Sequence, residues 1–380
     1  MYFKEVIIIN IETKAIHLGH EIDPATGAIA APIYLSTTYE RDADGSYPRG
    51  YSYSRTDNPN RHNLETVIAG LEGGTVAAAF SSGLAAIGAV FQALLPGDHV
   101  IAPEVLYHGT TRILKDIFSP WNLQVTFVDT SDAAKVKNAV KGNTKLIFVE
   151  TPSNPTLAVT DIKAIADIAH AAGAICVCDN TWATPVLQRP LEFGADLVIH
   201  STTKYFGGHS DVLGGAVVSS HDDEFFGRIR KIQQIGGAVP SPFDAWLLLR
   251  GTQTLPCRIR NHSESAGKIA EFLSNHPQVE RVYYPGLSEH PGHEIAKKQM
   301  CQFGGMLSFE VKGDRQQALE VAGKLKIIIR GTSLGGVESL IEHRKSIEGP
   351  ESKTPDTLLR LSVGLENVDD LIEDLSNALG

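Results

Sequence analysis

The sequence has no long run of lysine and arginine, and its formal charge of −10 at pH 7 leaves little to attract a phosphate backbone. Nucleic acid is therefore not an expected partner, and an anionic ligand would need a local basic pocket. Long apolar runs are also missing. The run nearest the start, Val6 to Ile9, holds only four residues between Glu5 and Asn10. It is too short for a secretory signal and far short of the roughly 20 residues that span a bilayer. Cysteine is scarce, with four residues in 380, so a disulfide framework is not expected. Cys176 and Cys178 lie two apart in a strand-like run, hence on one face, and read as buried reduced thiols in a cytoplasmic protein. Internal repeats and low-complexity tracts are absent. With 42% hydrophobic and 21% charged residues the composition fits neither a disordered nor a collagenous chain, and the length allows one large and one smaller domain.

From about residue 61 an alternating pattern begins. "NLETVIAGLEGG" reads as a helix closed by glycine, "GLAAIGAVFQALL" as a helix ended by a Pro-Gly-Asp turn, and "HVIAP" as a short buried strand. Further strands are expected at "QVTFVD", "KLIFVE", "AICVCD" and "DLVIHS", most of them separated by helical stretches such as "DIKAIADIAHAAGA". Runs that are apolar on both faces and alternate with helices imply an α/β fold with a mostly parallel sheet covered on both sides. The stretch before residue 61 is rich in Tyr, Ser, Pro and Gly and shows no period, which reads as an extended arm able to cover its own chain or to reach another subunit. After about residue 255, "SESAGKIAEFLSNHP", "GGMLSFEV", "RQQALEVAGKL" and "VDDLIEDLSNAL" suggest a smaller α/β unit. The expected division is an arm at 1–60, a large domain at 61–255 and a C-terminal domain at 256–380.

Ligands in such sheets bind beyond the carboxyl ends of the strands, and the chemically informative residues gather there. Glu150 and Asn154 follow one strand in "FVETPSNP", Asp179 ends another in "CVCDNTW", and Ser201, Thr203 and Lys204 follow a third in "VIHSTTK". A single strand-end lysine is usually a solvated one. Held in a desolvated pocket, the same amine has a lowered pKa and forms a Schiff base with a carbonyl. Its company favours the second reading. "SSGLAA" starts a helix at a glycine, so the N–H groups of Gly83 and Leu84 can point at an anion, and Tyr107 in "EVLYHGT" can stack on a flat ring. An acid such as Asp179 keeps a pyridine nitrogen protonated. Phosphate cradle, aromatic, acid and amine together match the four chemical features of pyridoxal 5'-phosphate.

The blocks "YSRTDNPN", "ETPSNPT", "DNTWATP", "DLVIHSTTKYFGGHSDVLGG", "SLGGVESL" and "LLRLSVGLENVDDL" together resemble the Cys/Met-metabolism family of pyridoxal-phosphate enzymes, the transsulfuration enzymes, over nearly the whole chain. The resemblance implies the aspartate-aminotransferase-like (fold type I) architecture and a homotetramer built as a dimer of dimers. It implies that Lys204 carries the cofactor and takes the substrate's Cα proton, that Asp179 partners the ring nitrogen, and that Tyr107 stacks on the ring and assists proton movement. Ser201, Thr203, Gly83 and Leu84 become phosphate ligands, with Tyr53 and Arg55 reaching the phosphate from a neighbouring subunit and Asn154 lying near the ring hydroxyl. Arg360, helped by Ser333, becomes the clamp for the substrate's α-carboxylate, a task suited to a planar guanidinium. Arg112 matches an arginine near the distal end of cystathionine-like substrates.

The bond that reacts is less sharply indicated. The family's γ-specific members commonly carry a glutamate where this chain has Thr332, and its γ-lyases an acid where it has Ser52. Gly109 stands where methionine γ-lyases carry a cysteine. Trp182 is similar to a residue of some β-lyases, while others have a tryptophan where this chain has Leu334. The first expectation is therefore cystathionine β-lyase chemistry, giving homocysteine, pyruvate and ammonia, with γ-synthase and γ-lyase chemistry as alternatives. A pyridoxal-phosphate-binding protein without turnover would have no use for Arg360, Ser333 and Arg112. No metal is expected, since "EHPGHE" places His290 and His293 around a Pro-Gly kink, read as an exposed loop. "GGHSDVLGG" lacks the spacing of either nucleotide-binding glycine motif.

Overall fold

Two sheets organise the chain in the computed structural model, which describes residues 9–349 and 352–380. All but the last residue of the apolar run Val6–Ile9 lies outside the described residues. The first sheet contains β1 (Val76–Phe80), β2 (His99–Pro103), β3 (Gln124–Val128), β4 (Thr144–Glu150), β5 (Ile175–Asp179), β6 (Leu197–His200) and β7 (Gly215–Ser219), in the order β1-β7-β6-β5-β4-β2-β3. Strand β7 runs antiparallel to β1 and β6, and every other pairing is parallel. The apolar runs follow from this arrangement. Leu146 and Phe148 of β4 join one core with Val177 and Ile199, while Ile147 and Val149 join a second core with Cys176 and Cys178 on the opposite face. Both cysteines are buried and free. Strands β1 and β7 go beyond the expected set, because "VAAAF" and "GAVVS" are short and built mainly of small residues.

The expected helices are present, and their ends explain themselves. Pro59–Glu72 starts with Pro at its first position after the Asn58 cap and stops at Gly73, whose φ of 76° favours glycine. Ile162–Ala171 is capped by the Asp161 side chain, which accepts from the Ala164 N–H. The second sheet holds β8 (Val279–Tyr283), β9 (Met306–Val311), β10 (Ile329–Arg330), β11 (Leu340–His343) and β12 (Leu358–Ser362), in the order β10-β11-β12-β9-β8. Helices Leu255–Ser274, Arg315–Lys324 and Val368–Leu379 cover it, packing Ile269, Val321 and Leu371 against Leu307, Phe309 and Leu361.

The N-terminal stretch contains one helix, Ile11–His17, and then little regular structure before residue 59. Its base is fastened: Asn60 donates to the Pro32 carbonyl at 2.8 Å and Trp246 Nε1 to the Ala31 carbonyl at 2.9 Å. Beyond these ties Ile22, Ile29 and Leu35 are exposed. His290 departs from expectation. Its side chain is buried, and its Nδ1 accepts from the Gly292 N–H at 3.0 Å, although Glu289, Pro291 and Glu294 around it are exposed. Among the described residues no helix is long and apolar enough to cross a membrane.

Candidate active site

Parallel pairing brings three strand ends side by side. Glu150 at the end of β4 is the register partner of Asp179 at the end of β5, and Asp179 in turn pairs with Ile199 near the end of β6. The chain leaving β6 turns tightly, with the Lys204 N–H donating to the Ser201 carbonyl at 3.1 Å, which aims Lys204 at the same point. A cleft of about 220 Å³ opens there, lined on one side by Asp179, Ser201, Thr203 and Lys204 and on the other by Thr332, Ser333, Arg344 and Arg360 from the C-terminal unit.

Lys204 Nζ donates to Ser333 Oγ at 2.6 Å across 129 positions of sequence. Burial lowers its pKa to about 8, helped by the positive charges of Arg360 and Arg344 and opposed by Glu342. At neutral pH the amine is still mostly protonated, but a far larger share of it is neutral than for an ordinary lysine. Ser333 has a φ of 85°, a left-handed conformation that costs a serine energy and recurs at functional sites. Arg360 helps to hold it, donating from Nη2 to the Ser333 carbonyl at 3.0 Å. The same guanidinium reaches Asn154 Oδ1 at 3.1 Å and Glu342 Oε2 at 2.9 Å. Burial first, then Arg344, lower its pKa to about 10, which still leaves it charged at neutral pH.

Asp179 Oδ1 accepts from the Thr181 N–H at 3.0 Å, and burial raises its pKa against that bond. Thr181 Oγ1 accepts from the Ser201 N–H at 2.9 Å, so one short loop fixes both the acid and the hydroxyl. Glu150, noted from sequence only as a strand-end residue, has a larger part. Its two oxygens accept from the N–H groups of Tyr107, at 2.9 Å, and Asn154, at 2.8 Å. Burial and the neighbouring Asp179 push its pKa up to about 8, since two adjacent buried acids cannot both ionise cheaply.

Helix Gly83–Gln92 points its first turn into the cleft. Ser82 caps the Ala85 N–H, while the N–H groups of Gly83 and Leu84 have no acceptor among the described residues. A Cβ at position 83 would lie 2.8 Å from Cβ of Ser201, so glycine allows this approach. Ser201 completes the cradle. Thr203 lines it too, but its hydroxyl donates to the Gly214 carbonyl at 3.1 Å and accepts from the Gly214 N–H at 3.0 Å, so it must turn before it can donate to an anion. Tyr107 sits at the cleft mouth, and Gly109 gives its ring room, since a Cβ there would lie 2.5 Å from Tyr107 Cε1. Three expected residues are not brought to this cleft within one chain. Arg112 is exposed and paired with Asp116, while Arg55 lies over the Tyr53 ring and donates to the Gln234 carbonyl.

The residues present fit pyridoxal phosphate: a lysine of lowered pKa for its aldehyde, an acid for its ring nitrogen, an aromatic at the cleft mouth, and free helix N–H groups for its phosphate. The site and the α/β fold define a pyridoxal-phosphate enzyme. Residues 12–380 match the family described as Cys/Met metabolism PLP-dependent enzyme, and the chain belongs to it. It is 49% identical to a cystathionine gamma-synthase of Mycobacterium tuberculosis over 374 residues, covering 97% of this chain and 96% of that one. Identity to a cystathionine beta-lyase of Coxiella burnetii is 44% over 379 residues, covering 97% and 98%. Two crystal structures are similar throughout. One is metB from Corynebacterium glutamicum, with a TM-score of 0.96, 46% identity and 98% of each chain covered. The other is cystathionine gamma-lyase from Lactobacillus plantarum complexed with L-serine, with a TM-score of 0.93, 41% identity and 97% and 98% covered.

Proposed function

We propose that this pyridoxal-phosphate enzyme cleaves the carbon–sulfur bond of cystathionine at Cβ, giving homocysteine, pyruvate and ammonia. The observation that carries a lyase reading is the amine of Lys204, its pKa lowered toward neutrality, in one cleft with the buried guanidinium of Arg360, a base and an α-carboxylate clamp. Bound pyridoxal phosphate supplies an aldehyde that links to amines and a ring that accepts the electron pair left at Cα. Arg360 holds the substrate's α-carboxylate and so turns the Cα–H bond toward Lys204, with Ser333 orienting the amine. With its amine free, Lys204 would take the Cα proton and could return one to the departing thiolate. Asp179 would keep a proton on the ring nitrogen, Asn154 would serve the ring hydroxyl, and Tyr107 would stack on the ring and assist proton movement. Gly83, Leu84, Ser201 and Thr203 hold the phosphate.

Thr332 lines the cleft where γ-specific relatives place an acid, and this supports β-cleavage. The 49% identity to a γ-synthase favours a second reading, in which the chain builds cystathionine from cysteine and an activated homoserine. Holoenzyme given cystathionine should yield pyruvate with homocysteine. Appearance of 2-oxobutyrate with cysteine instead would mean γ-lyase chemistry, and inertness toward cystathionine together with its synthesis from the two precursors would mean γ-synthase. No reaction in either assay would leave a cofactor-binding protein without turnover.

The same reading divides the chain into an arm at 1–60, a cofactor-holding unit at 61–255 and a C-terminal unit at 256–380, in keeping with the two separate sheets. It assembles the chain as a dimer of dimers in which Tyr53 and Arg55 of one subunit complete the phosphate site of another. It gives Arg112 the distal end of the substrate, and it keeps the protein in the cytoplasm, where its four free cysteines stay reduced.

A further inference from the structure

Behind Arg360 lies a row of buried charges that the proposed chemistry leaves unused. The pairing of β11 with β12 sets Glu342 opposite Arg360. Glu342 Oε2 accepts from Arg360 Nη2 at 2.9 Å and also from Arg344 Nη1 at 2.5 Å. Its other oxygen, Oε1, is buried without a hydrogen-bond partner. Arg344 is itself buried, lines the cleft, and is anchored from behind by Glu348, which accepts from its Nε at 3.2 Å and its Nη2 at 2.9 Å. Glu348 is fixed in turn by the hydroxyls of Ser352 and Thr354, at 2.5 and 2.6 Å.

We propose that Arg344 is a positioning residue for substrate binding, which shares Glu342 with Arg360 and so keeps the clamp arginine available to an incoming carboxylate. A buried carboxylate takes its counter-charge from whatever cation it can reach, and it grips a guanidinium best through both oxygens. Glu342 has a free second oxygen, so without Arg344 nothing would stop it from closing a two-pronged grip on Arg360. The substrate carboxylate would then have to displace it. Arg344 draws Oε2 toward itself and holds Glu342 to a single bond with Arg360, which orients the guanidinium without consuming it. The inference rests on the reading of Arg360 as the α-carboxylate clamp.

A double-mutant cycle on the holoenzyme tests it, with L-alanine as the probe. L-Alanine carries the α-carboxylate but no leaving group, so its binding is read from the visible spectrum of the bound cofactor. Arg344→Met should weaken L-alanine binding by about tenfold and raise KM by a similar factor, with kcat within about threefold of wild type. Adding Glu342→Gln to that variant removes the competing charge and should restore binding to within about threefold of wild type. Failure of Glu342→Gln to rescue would mean that Arg344 touches the carboxylate itself, and normal binding by Arg344→Met would mean that it does not assist the clamp. Either result overturns the proposal. Glu342→Gln alone should bind L-alanine at least as tightly as wild type, which keeps the test available if Arg344→Met does not fold; weaker binding there also overturns it. Arg360→Met is the separate control. Normal L-alanine binding in that variant would show that the clamp reading, and not the role of Arg344, has failed.

Discussion

Lys204 must lose a proton before it can attack an aldehyde, and its surroundings decide the pH at which it does so. Burial disfavours the ammonium, and the charge of Arg360 adds to the effect, so the amine becomes neutral near pH 8 rather than at the ordinary 10.5. Capture of pyridoxal phosphate by the apo-protein, followed by growth of its visible band, should therefore accelerate with a midpoint near pH 8. A profile that climbs only toward pH 10 would contradict the buried amine, and Lys204→Ala should give neither band nor turnover. The sign of the stability effect follows from the same shift. Because the folded pKa lies below the unfolded one, the penalty for burying the ammonium is complete below about pH 8 and is relieved as pH rises toward 10.5. Glu150 makes a different kind of prediction. It has two acceptor oxygens and serves two backbone N–H groups, whereas glutamine has one oxygen and an NH₂. Glu150→Gln keeps a neutral side chain but leaves one N–H facing a donor, which should cost about 1–3 kcal/mol in a denaturant titration. With Tyr107 or Asn154 displaced, kcat/KM should fall about tenfold while the cofactor's absorbance is retained. Unchanged stability and kinetics would mean that Glu150 only fills space.

At the scale of elements, the proposed phosphate cradle depends most on the start of helix Gly83–Gln92. Gly83→Ala places a Cβ 2.8 Å from Ser201 Cβ and 2.9 Å from its Oγ, so either Ser201 or the helix end must move. Cofactor affinity, measured by titrating apo-protein, should drop about tenfold with the fold intact, because charge-assisted bonds from N–H groups and hydroxyl depend on their convergence. An unchanged dissociation constant would remove this helix from the site. That helix, the strands β2 to β6 and the residues ending three of them are legible in the sequence for physical reasons. Strands buried on both faces read as continuous apolar runs, and function gathers where such runs stop. The rest depends on facts that sequence order does not carry. Strands β1 and β7 consist mainly of small residues and acquire their identity only through pairing, β1 with β7 and β7 also with β6. The commitment of the Thr203 hydroxyl to Gly214 arises from a loop closing over 11 positions, and the burial of His290 from one side chain tucked under a loop whose neighbours are exposed. Glu342 and Arg344 stand in "IEHRKS" as charges that belong to no motif. Their bearing on Arg360 exists only through the register of two strands 18 positions apart.

For the whole molecule the open question is where the phosphate finds its counter-charge. The cleft contains Lys204, Arg344 and Arg360, but their hydrogen bonds go to Ser333, Asn154 and carboxylates, not to the Gly83–Ser201 cradle. A buried phosphate without a cation is costly, more so in a chain of net charge −10. Arg55 lies on an arm whose exposed Ile22, Ile29 and Leu35 have no core of their own chain to join. An arm that docks on a second copy would bury those side chains and deliver Arg55 to the second copy's cradle. Co-assembly of an Arg55→Ala chain with a Lys204→Ala chain tests this. The Lys204→Ala homomer should be dead for want of the amine, and the Arg55→Ala homomer weak for want of phosphate affinity. In a mixed dimer with crossing arms, one cleft receives intact Arg55 together with intact Lys204 and the other has neither, so about half of its sites should regain activity. If the arm serves its own chain, one cleft in the mixed dimer is weak and the other dead, and activity stays below that of the weak homomer. Mixed dimers isolated by two different affinity tags and showing no such recovery would refute the crossing arm while leaving the chemistry of Lys204 untouched.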